Sequence, residues 1–316
     1  LLSNISKILE KVVHRQLYEF CTKTNILVNN QFGFRPKHST IDAVTTFLAN
    51  IYDQIDNDKS ALSVFLDLSK AFDTIDHKIL LSKLEFYGVR GVALEWFRSY
   101  LLGRQQYVLF NNSASSYHNV SYNVPQGSVL GPLLFILYTN DLPRILRYSR
   151  CILFADDTTL YHSCSNMNQL RQDVESDLLS LSDWFAANKL SLNVQKTNFI
   201  IFKPRKTDIF SPDLTELSLG NNVINRVRVA KFLGLYIDEN LTWEEHISHV
   251  ARKISSGAYA LNCCKHYLSV RNLRCLYFSI IHSHLLYGTM LWGTAQKRFV
   301  KKIETLQKKC IRKIMK

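Results

Sequence analysis

Ile152-Leu153-Phe154-Ala155-Asp156-Asp157-Thr158-Thr159-Leu160 sets two adjacent carboxylates between short apolar runs, the pattern of a hairpin with its acids at the tip. Like charges side by side repel unless a cation neutralises them, and oxygen-only ligands on a tight turn suit a hard ion such as Mg²⁺. An Asp-Asp pair also fills ordinary solvated turns, so this stretch alone decides no chemistry. A second acidic stretch adds the missing constraint. Ala61-Leu62-Ser63-Val64-Phe65-Leu66-Asp67-Leu68-Ser69-Lys70-Ala71-Phe72-Asp73 opens with a nearly continuous apolar run, read as a buried central strand that ends in Asp67. If strand and hairpin share one sheet, Asp67 joins Asp156 and Asp157 at a common edge. Three carboxylates there can hold two metal ions about 4 Å apart.

Between these stretches lies Val124-Pro125-Gln126-Gly127-Ser128-Val129-Leu130-Gly131-Pro132. With the three blocks in this order, the sequence resembles the reverse transcriptases of non-LTR (LINE-type) retrotransposons. The resemblance runs from Ser6-Lys7-Ile8-Leu9-Glu10 and Gln31-Phe32-Gly33-Phe34-Arg35 to Phe232-Leu233-Gly234 and the helices beyond. Several ordered blocks are far more specific than any single one.

The resemblance implies an α+β fold: a right-hand polymerase with a ferredoxin-like antiparallel palm sheet, partial helical fingers and a helical thumb. Residues 1–60 would be the partial fingers. The palm would span 61–240, with fingers elements interleaved at 74–120, and the thumb with its basic C-terminal helix 241–316. The activity implied is RNA-directed DNA polymerisation, extending a DNA 3′-hydroxyl with dNTPs on an RNA template by two-metal nucleotidyl transfer. Asp67, Asp156 and Asp157 would be the metal ligands, holding two Mg²⁺ ions that Mn²⁺ can replace. Lys196 matches the family lysine that protonates the departing pyrophosphate. Phe72 matches the aromatic beneath the sugar, and Leu68 lies in the same nucleotide-binding block. Gln126 and Gly127 would flank the nascent base pair, and Phe232, Leu233 and Gly234 would grip the primer end. The implied partners are template RNA, a DNA primer or target DNA, and dNTPs, with neither membrane nor zinc. Intracellular residence follows as an expectation, nuclear and cytoplasmic as a ribonucleoprotein. An RNA-binding module that keeps the fold without catalysis, and a group II intron maturase-like or telomerase-like polymerase, are the alternatives.

Composition fits this reading. With 316 residues, 47% of them hydrophobic, the chain can bury a large core in more than one lobe. A formal charge of +13 suits a polyanionic partner, and also a membrane-surface or ribosomal protein. Seven scattered cysteines without Cys-x-x-Cys spacing support neither a disulfide framework nor a zinc module. No apolar run reaches 18 residues, and no signal peptide is recognisable. In the family a basic Arg-Pro-Ile-like segment precedes the first helix. The chain lacks it and begins on leucine, which reads as a fragment.

Along the chain, Ile5, Ile8, Leu9, Val12, Val13 and Leu17 fall on one helical face. Gly33-Phe34-Arg35-Pro36-Lys37 is a loop entering a helix capped at Ser39 or Thr40. Arg35 and Lys37 are candidates for template phosphate, or solvated loop charges. Helices over 77–87 and 92–102 end at Gly88 and Gly103. Residues 105–110 and 117–124 read as a strand pair. An amphipathic helix carries Met167, Leu170, Val174, Leu178, Leu181 and Phe185, and a strand covers 198–202. A hairpin follows over 217–224, then a single strand over 229–237. His282 and His284, two apart on a helix, make no convincing metal pair. The last helix, 297–316, concentrates nine Lys or Arg against one acid, Glu304, so duplex phosphates are its preferred partner over solvent or a membrane surface.

Overall fold

The computed structural model describes residues 3–125, 127–204, 214–220 and 222–315. Two compact units emerge: one takes in the chain to Phe199 and the strands closing at Arg226, the other Ile200–Arg205 and Val227 onward.

The first unit opens with α1 (Asn4–Lys23) and α2 (Thr40–Asp56). Of the two cap candidates, Ser39 caps α2, in a capping box with Asp42. Strand β1 (Ser60–Leu66) is buried at all seven positions, so both faces of the sheet are covered there. Helices α3 (His77–Phe86), α4 (Val92–Leu101) and α5 (Gly131–Tyr138) lead to the hairpin β2 (Arg150–Phe154) and β3 (Asp157–Cys164). Then come α6 (Met167–Ala187), β4 (Asn198–Phe202), whose residues from Ile200 on fall in the second unit, β5 (Glu216–Leu219) and β6 (Asn222–Arg226). Gly88 and Gly103 follow α3 and α4 with φ of +98° and +69°, left-handed stops that relieve the helix ends.

The strands join in the order β5-β6-β4-β1-β3-β2. Its last four members run fourth, first, third, second in chain order, which is the ferredoxin-like arrangement. The β1–β3 and β2–β3 pairs are antiparallel, as expected for the palm. One pair departs from that expectation: β4 and β6 are parallel, because β5 turns back as a hairpin before β6 reaches β4. α2 packs on β1 and β2, and α6 on β1 and β3. Leu170, Val174, Leu178, Leu181 and Phe185 of α6 are buried, whereas Met167 is not.

Two further departures are informative. The apolar stripe of α1 does not face inward: Ile5, Ile8, Leu9 and Val12 are exposed, and the buried positions are Glu10, Leu17 and Cys21. The strand pair over 105–124 reduces to two short ladders, Gln105–Gln106 with His118–Asn119 and Leu109–Phe110 with Ser113–Ala114.

The second unit begins with β7 (Val229–Phe232) and β8 (Leu235–Asp238). Residues 229–237 are therefore a hairpin and not one strand. Leu233 and Gly234 both take positive φ, +45° and +85°, the two-residue turn that matches the twist of paired strands. Helices α7 (Glu244–Cys264), α8 (Val270–Tyr277) and α9 (Lys297–Met315) follow, with shorter helical turns between the last two. Ile303, Cys310 and Ile314 of α9 are buried, and Lys297, Arg298, Lys301, Lys302, Lys308, Lys309 and Arg312 are exposed. Among the described residues, no helix is long and apolar enough to cross a membrane.

Candidate active site

The β2–β3 hairpin closes with Phe154 opposite Asp157, leaving Ala155 and Asp156 as its two turn residues. Ala155 has φ +56°. Positive φ at the first turn position suits glycine, and for alanine it costs about 1–2 kcal/mol that its surroundings must offset. On the other side of β3, Leu66 stands opposite Thr158. Carried one step further, this register sets Asp67 alongside Asp157. The predicted acids thus come from two distant stretches to one edge of the sheet. Asp67 and Asp156 are half-buried and Asp157 is exposed.

Lys196 reaches the same edge, its Nζ 3.8 Å from Asp67 Oδ2. Local pairing brings it there: Leu68 pairs with Leu192 and Ser69 with Ser191, antiparallel. The Asn193 N–H donates to the Asp67 carbonyl at 2.8 Å, and the Asp67 N–H donates to Thr197 Oγ1 at 3.4 Å. Leu68 is buried in this ladder.

Phe72 is half-buried, stacked on Phe135 with ring centroids 4.4 Å apart and edge-on to Phe34 at 6.0 Å. The Val124 N–H donates to the Phe72 carbonyl, tying the start of the Pro-Gln-Gly block to this ring. Gln126 lies outside the described residues. Gly127 has φ +78° and open space where a Cβ would stand, so the turn conformation accounts for glycine there. Beyond it, Ser128 Oγ accepts the Gly131 N–H, and Glu10 of α1 accepts the N–H groups of Val129 and Leu130 at 2.7 and 3.3 Å. Ser128 thus takes the first N–H of α5, and a carboxylate 119 residues away from Val129 holds the two residues that lead into the helix.

Arg35 donates from Nη1 to the carbonyls of Val28 and Gln31, so its guanidinium supports the loop that bears it. Lys37 is exposed at φ +64°. Phe232, Leu233 and Gly234 form the hairpin turn of the second unit; Phe232 is buried, and the Tyr287 hydroxyl donates to the Leu233 carbonyl.

Residues 1–237 match the family described as "Reverse transcriptase (RNA-dependent DNA polymerase)". The chain belongs to the reverse transcriptase family. It is 31% identical to "Probable RNA-directed DNA polymerase from transposon BS" of Drosophila melanogaster, an alignment covering 99% of this chain and 35% of that protein. It is 28% identical to the "Probable RNA-directed DNA polymerase from transposon X-element" of the same species, again over 99% of this chain and 35% of the relative. The resemblance to reverse transcriptases of non-LTR retrotransposons is borne out. The chain spans about a third of the length of these relatives. A solved telomerase from Candida tropicalis, in complex with a fragment of telomeric RNA, is 12% identical with a TM-score of 0.48, covering 98% of this chain and 51% of that one.

Reverse transcriptases use divalent metal ions. The carboxylates at this edge are the hard donors such ions take, and Asp67, Asp156 and Asp157 are partly or fully open to solvent, so they fit. Among the described residues no three His, Cys, Asp or Glu side chains are already gathered as a cage, and the cation beside Asp67 is the Lys196 ammonium.

Sequence reasoning quoted two residues inside its family blocks without giving either a role. Glu10 is one and Gln31 the other, a 1% exposed amide against the acid turn. The signal for Glu10 was a carboxylate within an otherwise apolar helical repeat, a pattern that solvated helix faces share.

Proposed function

We propose that this chain is the polymerase part of an RNA-directed DNA polymerase of a non-LTR retrotransposon, adding dNTPs to a DNA 3′-hydroxyl on an RNA template. One observation carries the reading. Strand register sets Asp67 beside the Asp156-Asp157 turn, and Lys196 lies within 3.8 Å of Asp67.

Asp67 and Asp156 would hold divalent cations, with Asp157 as the third carboxylate. When bound, two Mg²⁺ or Mn²⁺ ions would lower the pKa of the primer hydroxyl and neutralise triphosphate charge. The primer oxygen would attack the α-phosphorus, its proton passing to water, and the bond to pyrophosphate would break; Lys196 would hand its proton to that leaving group. Phe72, held by Phe135, supports the sugar and obstructs a ribose 2′-hydroxyl. Leu68 anchors the backbone below it. Gln126 and Gly127 border the nascent pair, and Phe232, Leu233 and Gly234 serve the primer. Lys37 and the exposed lysines and arginines of α9 contribute phosphate contacts, and Arg35 holds its own loop. On this reading residues 1–60 are partial fingers, 61–240 the palm with fingers elements at 74–120, and 241–316 the thumb. A nuclear and cytoplasmic ribonucleoprotein is the setting that goes with this reading.

Primer extension on an RNA template tests this. Asp156→Asn should reduce extension by at least about 10³-fold while template affinity stays within about twofold. Unimpaired extension by Asp156→Asn would remove the acid turn from the chemistry.

A further inference from the structure

The acid turn is supported from outside the sheet by a short strap, residues 30–33. The Leu153 N–H donates to the Asn30 carbonyl at 2.9 Å, and the Phe32 N–H to the Leu153 carbonyl at 2.8 Å, so the strap pairs in parallel with the outermost strand, β2. From its middle, Gln31 points its side-chain oxygen at the turn. Oε1 accepts the N–H of Ala155 at 3.1 Å and that of Gly33 at 2.8 Å. Both partners are donors, so the amide has one workable orientation. That orientation leaves Nε2 buried without an acceptor among the described residues. A packing role alone would be served by an apolar side chain of the same length. The buried amide is explained by what its oxygen does for Ala155, the left-handed residue immediately before Asp156. Gly33 closes the contact: a Cβ there would lie 2.2 Å from the Ala155 nitrogen.

We infer that Gln31 is the positioning residue of the acid turn: its side-chain carbonyl holds Ala155 in the left-handed conformation and so fixes where Asp156 presents its carboxylate. The metal consequence rests on the proposed reading of this edge, whereas the conformational claim does not. The side-chain oxygen of Gln31 is taken up by two backbone N–H groups. It acts through the peptide N–H at the base of the turn.

Hydrogen exchange of the segment 154–157, paired with Mn²⁺ titration followed by electron paramagnetic resonance, tests this on the whole chain. Gln31→Met keeps the length of the side chain and removes the acceptor. It should speed exchange at Ala155 and at Gly33, the two N–H groups that lose their acceptor, by about tenfold and weaken Mn²⁺ binding by about tenfold, with exchange elsewhere in the first unit unchanged. Gln31→Glu keeps an oxygen facing both donors and should exchange at Ala155 no faster than the parent. Unaltered exchange at Ala155 in Gln31→Met, a rise spread evenly through the unit, or faster exchange in folded Gln31→Glu would each overturn the inference. Asp156→Asn in the same titration separates the two claims. If it binds Mn²⁺ as the parent does, the metal reading of the edge fails, and exchange at Ala155 still decides the role of Gln31.

Discussion

Phe72 shows how one side chain can serve packing and selectivity together. Stacked at 4.4 Å on Phe135 and edge-on to Phe34, its ring is held on two sides and half-open on the rest. Truncation removes both the stack and the steric block. Phe72→Ala should therefore raise ribonucleotide incorporation by at least about tenfold relative to deoxynucleotide, and lower stability by about 2–3 kcal/mol through the lost aromatic contacts. Single-nucleotide extension with paired rNTP and dNTP, beside thermal unfolding, reads both. Unchanged selectivity with reduced stability would leave Phe72 as core alone. At this scale the sequence was legible where a residue's chemistry was unusual for its setting. Acids at the ends of apolar runs marked Asp67, Asp156 and Asp157. It was mute where an ordinary polar residue is buried by a distant partner: Glu10 meets Val129 and Leu130, and Gln31 meets Ala155, across more than 100 residues of chain. No local pattern encodes such a meeting.

Elements were legible when period and punctuation agreed. α3, α4 and α6 follow their apolar spacing and their caps, with Asp76 accepting the N–H groups of Lys78 and Ile79, and Asn166 those of Asn168 and Gln169. Residues 229–238 misled because a hairpin whose turn reads Leu-Gly keeps the apolar character of one long strand. The α1 stripe misled because the face turned inward is chosen by Glu10 and its two N–H partners rather than by hydrophobicity. Helix α7 makes a prediction of its own. His246 is buried beside Trp243, Trp292 and Tyr236, and its Nδ1 accepts the Tyr236 N–H. Burial first, and the neighbouring His249 second, push its pKa down to about 4 from 6.5. The unfolded chain then binds a proton below pH 6.5 that the folded unit refuses until about pH 4. Stability from this group is complete above pH 6.5 and is lost as pH falls toward 4, by about 3 kcal/mol in all. Urea unfolding followed by Trp fluorescence at pH 7.5 and pH 5 should show this slope, and His246→Leu should flatten it. A slope that survives His246→Leu would assign the acid sensitivity elsewhere.

At the scale of the molecule, the four strands β4-β1-β3-β2 bring to one edge residues that lie about 90 and 130 positions apart in the chain. The sequence announced this indirectly. Only an order that makes β1 and β3 neighbours lets Asp67 and the acid turn share a site, and the ferredoxin-like order does so. The division into two units at residues 200–227 was not legible, since no Pro- or Gly-rich linker marks it. The hairpin of β5 and β6 was legible over 217–224, whereas its parallel pairing with β4, which extends the sheet, was not. The basic character was visible from charge counting, and the exposed lysines and arginines of α9 leave its apolar face to the second unit. We propose that Asp67 and Asp156 work as one site. A double-mutant cycle in single-turnover primer extension measures this directly. Asp67→Asn and Asp156→Asn should each slow nucleotide addition by at least about 10³-fold, and the double variant by no more than about tenfold further. Two losses that multiply fully, or a single variant that retains the parental rate, would contradict a shared site.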